Sequence, residues 1–353
     1  MKRKAENMTI HTVCGRLLPL LFVAAGVLAG CVRAAEPAAA VDGRTEFDRL
    51  TFDRAACPVL ENGTVRLVVD PLHGGRIIEY SREGKNIIYD ADPGHPDRVF
   101  PFADHYMGPA GGRFDIGPED TVPEHLELWQ GAWKVERATP RTLRLLSAED
   151  RTLGLQLERE FTLSEFDSSV TCKQTIRNIS AETKTSSHWF RTFARGGGIC
   201  VFPLTPGSRF PLHYLSFDSW PLFQVRTRPK EKGVAERDGF LLVDGTAGQG
   251  KIGLDSYAGW FAYYHPSNLL MVKQFQVYPD RRYADITGLT AAIYFNPSLA
   301  ELESLGPEER LAPGQTASYS ETWWLLPAVW PGTSAAVDLK QLQSLVNPLI
   351  RKP

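Results

Sequence analysis

Apolar residues recur at every second position over long stretches of this chain. Leu153, Leu155, Leu157, Phe161 and Leu163 share one parity, and Val170, Cys172 and Ile176 form a second such series. Side chains of an extended strand point alternately to opposite faces, so this spacing predicts antiparallel strands with one face buried. Between Asn62 and Tyr89, short apolar runs are punctuated by Gly, Asn and Pro, which predicts hairpins. Further strands are predicted at Ser187–Phe193, Gly239–Val243, Trp260–Tyr264, Leu269–Val277, Leu289–Phe295 and Ala317–Leu326. One segment, Ala336–Val346, carries Leu339, Leu342 and Leu345 at helical spacing and is followed by Pro348, which stops a helix. This density of strands, with neither an internal repeat nor a low-complexity break, predicts an all-β domain over residues 46–353. Its expected form is one large antiparallel β-sandwich with a short C-terminal helix. A pair of jelly rolls or a propeller is the competing architecture, although a propeller advertises a repeat of about 40–50 residues.

Composition narrows the partners. The 353 residues are 43% hydrophobic and 23% charged, and 39 Lys and Arg face 41 Asp and Glu for a net charge of −2. No basic field exists to draw the chain to nucleic acid. The first thirty residues carry Lys2, Arg3, Lys4 and Arg16, then an apolar run from Leu17 to Leu28, then Leu28-Ala29-Gly30-Cys31. A membrane span needs about 20 apolar residues, and this run is shorter and ends in small residues. The pattern resembles the signal and lipobox of bacterial lipoproteins, with Cys31 lipidated as the new N-terminus. The competing reading is a plain secretory peptide cut at a nearby Ala. Residues 31–45, rich in Ala, read as a flexible tether. The expected setting is therefore outside the cytoplasm, anchored to a membrane through the N-terminal lipid alone. Removal of residues 1–30 leaves 35 basic and 40 acidic residues, a mildly acidic domain. Beyond Cys31 stand Cys57, Cys172 and Cys200, enough for one disulfide at most, and without a CxxC pair for structural zinc.

Several segments in fixed order carry a resemblance. They are Asn62-Gly63-Thr64 through Asp70-Pro71, Gly74-Gly75-Arg76-Ile77-Ile78, Asn86-Ile87-Ile88-Tyr89, and Gly108 through Phe114. Pro123-Glu124-His125 with Trp133, Thr185 through Phe190, Glu301-Leu302-Glu303-Ser304, and Leu311 through Trp324-Leu325 complete the set. Together they resemble the galactose mutarotase-like superfamily, the aldose 1-epimerase type of β-supersandwich. Two departures are visible: Leu126 follows His125 where the family has Gly, and Asp115 through Glu119 replaces a second arginine region.

The resemblance implies acid–base interconversion of sugar anomers without metal or other cofactor. Glu303 would be the base, His188 the acid, and Arg113 and His125 would hydrogen-bond sugar hydroxyls, with His105 a further candidate for the pocket. A positioned proton donor or acceptor is worth about 10²–10⁴-fold in rate, and histidine titrates near ambient pH. Pyranose faces pack on aromatic rings. Trp129, Trp133, Trp189, Trp220 and Trp260 are candidates for that role. Against each stands a structural alternative, a satisfied strand histidine, a solvated glutamate such as Glu301, or a core tryptophan.

Other motifs point elsewhere and are set aside. Gly245 through Lys251 spells most of a phosphate-binding loop, but Ile252 occupies the Ser/Thr position and the flanks read as strands, so no nucleotide is expected. Asp90, Asp92, His95 and Asp97 fit no EF-hand spacing. The expected partner is a mono- or oligosaccharide. A non-catalytic glycan-binding lipoprotein, or a relative of polysaccharide lyases and glycoside hydrolases, is the alternative.

Overall fold

A computed structural model describes residues 57–89, 110–218 and 223–350. The predicted signal peptide, Cys31 and the tether lie outside the described residues, as do His105, Trp220 and the loop of Asp90, Asp92, His95 and Asp97. Among the described residues, strands dominate and gather into two antiparallel sheets of twelve and ten strands. The sandwich expected from the alternation is observed.

The twelve-stranded sheet runs across space as Val59–Glu61, Arg66–Asp70, Arg76–Arg82, Gly112–Gly117, Lys184–Arg195, Leu299–Leu305, Ala291–Phe295, Gly250–Leu254, Leu215–Asp218 and Gln224–Arg226. Two short strands, Lys85–Asn86 and Glu309–Leu311, pair at its margins. The facing sheet has Thr316–Pro327 near its middle, flanked by Leu269–Phe275 and Val170–Asn178. Phe114, Phe190, Phe161, Leu157, Phe261 and Trp323 fill the space between the sheets as one continuous apolar core.

The burial patterns of individual strands separate the two sheets. Leu155–Leu163 and Val170–Asn178 alternate between buried and more exposed positions, as expected of strands wet on one side. By contrast Gly112–Gly117 and Leu299–Leu305 are buried at every position, and Lys184–Arg195 is buried on both faces through most of its length. The middle of the large sheet is therefore covered on its outer face as well as its inner one. The C-terminal helix, predicted from 336, begins at Leu339 and runs to Val346, because Asp338 caps it by accepting from the backbone N–H groups of Lys340 and Gln341. Its Leu339, Leu342 and Val346 seal the outer face of the smaller sheet against Trp260, Val272 and Trp324.

Candidate functional site

The register of the three central strands of the large sheet decides which side chains share a face. Arg191 lies opposite both Arg113 and Glu303, Trp189 opposite Asp115 and Leu305, and Phe193 opposite Glu301. Directly paired residues project to the same side. Trp189, Arg191 and Phe193 therefore stand with Arg113, Asp115, Glu301 and Glu303 on the outer face. Two strands further, Glu301 pairs with Tyr294 and Tyr294 with Lys251, which adds Lys251 to the same face.

Ion pairs knit this face together. Asp115 Oδ2 takes Arg113 Nη2 at 3.0 Å and Arg191 Nη1 at 3.3 Å, and the Arg191 Nε donates to Glu301. The Arg191 guanidinium lies 4.0 Å from the centre of the Trp189 ring. Glu303, 1% exposed, accepts the indole N–H of Trp189 at 2.5 Å on Oε2. Its Oε1 lies 3.3 Å from Lys251 Nζ, which reaches Glu119 Oε2 at 2.7 Å.

These surroundings push the two glutamates apart. Burial raises Glu303, and the adjacent Glu301 charge raises it further against the pull of Lys251, to a pKa of about 8. Burial alone would raise Glu301 as well, but Arg191 and Lys251 outweigh it and hold Glu301 below its ordinary value. Asp115 is kept ionised in the same way by Arg113 and Arg191. A glutamate shifted up and a glutamate shifted down thus stand two residues apart on one strand face, about 7 Å between Cα atoms at the strand repeat. Opposed pKa values in neighbouring carboxyls occur both at acid–base sites and in buried ion-pair networks. Asp285 adds a third perturbed group: burial, then Glu119, raises it to about 7, and it accepts the Glu119 backbone N–H at 3.3 Å.

Of the residues singled out from the sequence, Arg113, Trp189 and Glu303 come together here. His125 stands at the margin, where its ring lies 4.3 Å from that of Trp129, and the Arg113 guanidinium lies 5.1 Å from the same Trp129 ring. His125 Nδ1 is 2.7 Å from the carbonyl oxygen of Pro123. A carbonyl only accepts, so Nδ1 carries the hydrogen and Nε2 of the neutral ring holds the lone pair. That Nε2 is buried without a partner, and burial lowers the pKa of the ring.

His188 does not join them. Thr192, Phe190 and His188 alternate with Arg191 and Trp189, so His188 faces the interior of the sandwich. There its ring lies parallel to Tyr319 at 5.7 Å and edge-on to Phe190 at 5.8 Å. It is fully buried, and desolvation drives its pKa to about 3 against an opposing pull from the backbone at Ala317. The expectation that His188 faces Glu303 as the acid is corrected by this parity, because the two side chains leave the sheet on opposite sides. Trp133 packs under the Arg159 guanidinium at 4.0 Å, and Trp260 lies beneath the C-terminal helix, so both serve the structure.

Arg191, Lys251 and Asp285 were not singled out from the sequence. Lys251 ends the stretch resembling a phosphate loop, yet the segment is the start of strand Gly250–Leu254 and its lysine serves the carboxylates. Arg191 carried a signal, standing two residues beyond Trp189. Among the described residues no cluster of His, Cys, Asp and Glu is placed to hold a metal ion.

The shape of the sandwich is shared with solved structures. A candidate aldose 1-epimerase from Escherichia coli K12 superposes with a TM-score of 0.53 over 77% of this chain and 99% of its own, at 14% identity. A galactose mutarotase-like protein from Lactobacillus casei superposes with a TM-score of 0.54 over 76% of this chain and 100% of its own, at 11% identity. The chain has the galactose mutarotase-like fold. A TPR-domain protein from Parabacteroides distasonis matches 83% of this chain over 48% of its own length, at 15% identity and a TM-score of 0.52. No family profile and no curated protein matches the sequence. The galactose mutarotase-like sandwich here thus carries its charged cluster on the outer face of the larger sheet.

Proposed function

We propose that this face holds a mono- or oligosaccharide, and that the chain is a carbohydrate-active protein of the aldose-epimerase type in which Glu303 transfers a proton during interconversion of sugar anomers. The observation that carries the reading is Glu303 itself, a buried carboxyl with a pKa of about 8, hydrogen-bonded to a tryptophan and set beside an ionised partner. Ring opening removes the proton of the anomeric hydroxyl, breaks the bond from C1 to the ring oxygen, forms the C1 carbonyl and leaves a proton on the former ring oxygen. A neutral Glu303 supplies that last proton, which reverses the base role implied by the resemblance. The lone pair on His125 Nε2 takes the first proton in place of His188. Glu303 lies across Arg191, on the intervening strand, from Arg113, about 10 Å at ordinary strand spacing. The Arg113 Nε, buried without a partner, is a donor for a sugar hydroxyl.

Under the same proposal the N-terminal segment exports the chain and Cys31 anchors it through lipid, so the sugar is met outside the cytoplasm. Anomer-exchange NMR on a panel of monosaccharides tests the enzyme. Acceleration of at least one sugar is the expected result. Binding without acceleration would leave a glycan-binding protein, the reading that the interior position of His188 favours, and neither binding nor acceleration would remove the carbohydrate reading.

A further inference from the structure

Directly behind the charged face, inside the sandwich, lies a second polar cluster with no access to solvent. Lys273 and Glu321 come from the smaller sheet, both fully buried, with Nζ 3.1 Å from Oε2. Lys273 Nζ also donates to Thr192 Oγ1 at 2.8 Å and to the Leu302 carbonyl at 3.1 Å, so all three of its hydrogens have acceptors. Glu321 accepts Ser304 Oγ at 2.8 Å on Oε2 and Trp323 Nε1 at 2.7 Å on Oε1. The pair is surrounded by aromatic surface, with Nζ 5.2 Å from the centre of the Trp323 ring and 5.5 Å from that of Phe261.

An ion pair in such a place is weak grounds for stability. Removing both charges from water costs several kcal/mol per ion, and well-packed apolar residues commonly do as well or better. What this pair does have is connectivity. The residues it grips, Thr192, Leu302 and Ser304, alternate along their strands with Arg191, Glu301 and Glu303. The two strands that carry the acid, its ionised neighbour and the arginine between them are therefore tied from beneath to one point in the opposite sheet.

We propose that the buried Lys273–Glu321 pair is a positioning device that clamps strands Lys184–Arg195 and Leu299–Leu305 and thereby fixes Glu303 against Trp189. The role rests on the reading of Glu303 as the proton-transferring group, and it adds residues that touch no sugar. Displacement of reacting groups by about 1 Å from a remote site costs up to about 10²-fold in rate. A buried network whose charged groups are fully hydrogen-bonded, as Lys273 and Glu321 are, is the kind that holds one arrangement.

The test is the double variant Lys273→Met/Glu321→Gln, which removes both charges while keeping side-chain volume and an amide for Ser304 or Trp323. The expected result is a folded protein whose anomer exchange falls by about 10–100-fold, with sugar affinity changed far less. The Trp189 indole N–H resonance moves upfield as its hydrogen bond to Glu303 loosens. A folded double variant with wild-type rate and an unmoved indole resonance overturns the proposal. If the double variant fails to fold, Thr192→Val and Ser304→Ala each cut one tie, and an unmoved indole resonance in both is equally fatal. Should the wild type accelerate no sugar, the functional reading fails, while the indole resonance still decides the clamp.

Discussion

Glu303 and His188 occupy neighbouring strands, yet one faces a cluster of charged groups and the other packed rings, and a single step of parity separates the two outcomes. His188 is held between Tyr319 and Phe190, away from the charged cluster. His188→Leu is of similar volume and is expected to keep anomer exchange within about threefold of wild type, with a stability change below about 1.5 kcal/mol. Rate measurement and thermal melting check both; a loss of 100-fold or more in a folded variant would return His188 to the mechanism. The sequence made Glu303 and Glu301 legible as one face, because acidic residues two apart in a strand must share a side. It left His188 ambiguous for a physical reason: Lys184–Arg195 is buried on both faces, so no alternation of apolar and polar positions marks which parity looks inward.

At the scale of elements, the turn before strand Arg76–Arg82 holds the margin of the site in place. Gly74 has a φ of +78°, and a Cβ there would stand 1.9 Å from the Trp129 carbonyl oxygen. Its own carbonyl accepts from the buried Arg159, which also reaches the Phe114 carbonyl between Arg113 and Asp115. Gly74→Ala combines left-handed backbone strain with a collision against backbone and is expected to cost about 2–4 kcal/mol. It should also displace Trp129 and the His125 beside it, so a variant melting within a degree of wild type contradicts this account of the turn. Long alternating strands such as Leu155–Leu163 could be read from the sequence, whereas short or doubly buried ones such as Gly112–Gly117, Ile199–Pro203 and Gly250–Leu254 could not. In these the apolar pattern loses its period, and in Gly112–Gly117 and Gly250–Leu254 glycine and charged residues also break the run. Lys251 stands in such a strand, and its glycine-rich approach conceals the link to the carboxylates until the pairing with Tyr294 is known.

For the molecule as a whole, the perturbed carboxyls link stability to pH. Glu303 and Asp285 bind their protons more tightly when folded, with pKa values of about 8 and about 7 against ordinary values of 4.5 and 3.8. The stability they contribute is complete below the ordinary values and is lost as pH rises through about 7 and 8. Asp115 and Glu301, held low, act in the opposite sense and withdraw their contribution as pH falls below the usual carboxylate range. The melting temperature should therefore peak in mildly acid solution and decline toward pH 8. Asp285→Asn, which keeps an acceptor for the Glu119 N–H, should gain in melting temperature over wild type as pH rises from about 5 to about 8; calorimetry across that range checks the sign.

The claim on which the rest depends is that Glu303, held neutral in its place on the large sheet, gives a proton to a sugar. Anomer-exchange rates of wild type and Glu303→Gln, recorded on one accelerated sugar from pH 5 to pH 9, test it most directly. The wild-type rate should fall as pH rises through about 8, and the variant should keep its fold yet be slower by about 10²-fold or more. A folded Glu303→Gln protein that exchanges anomers at the wild-type rate would contradict it.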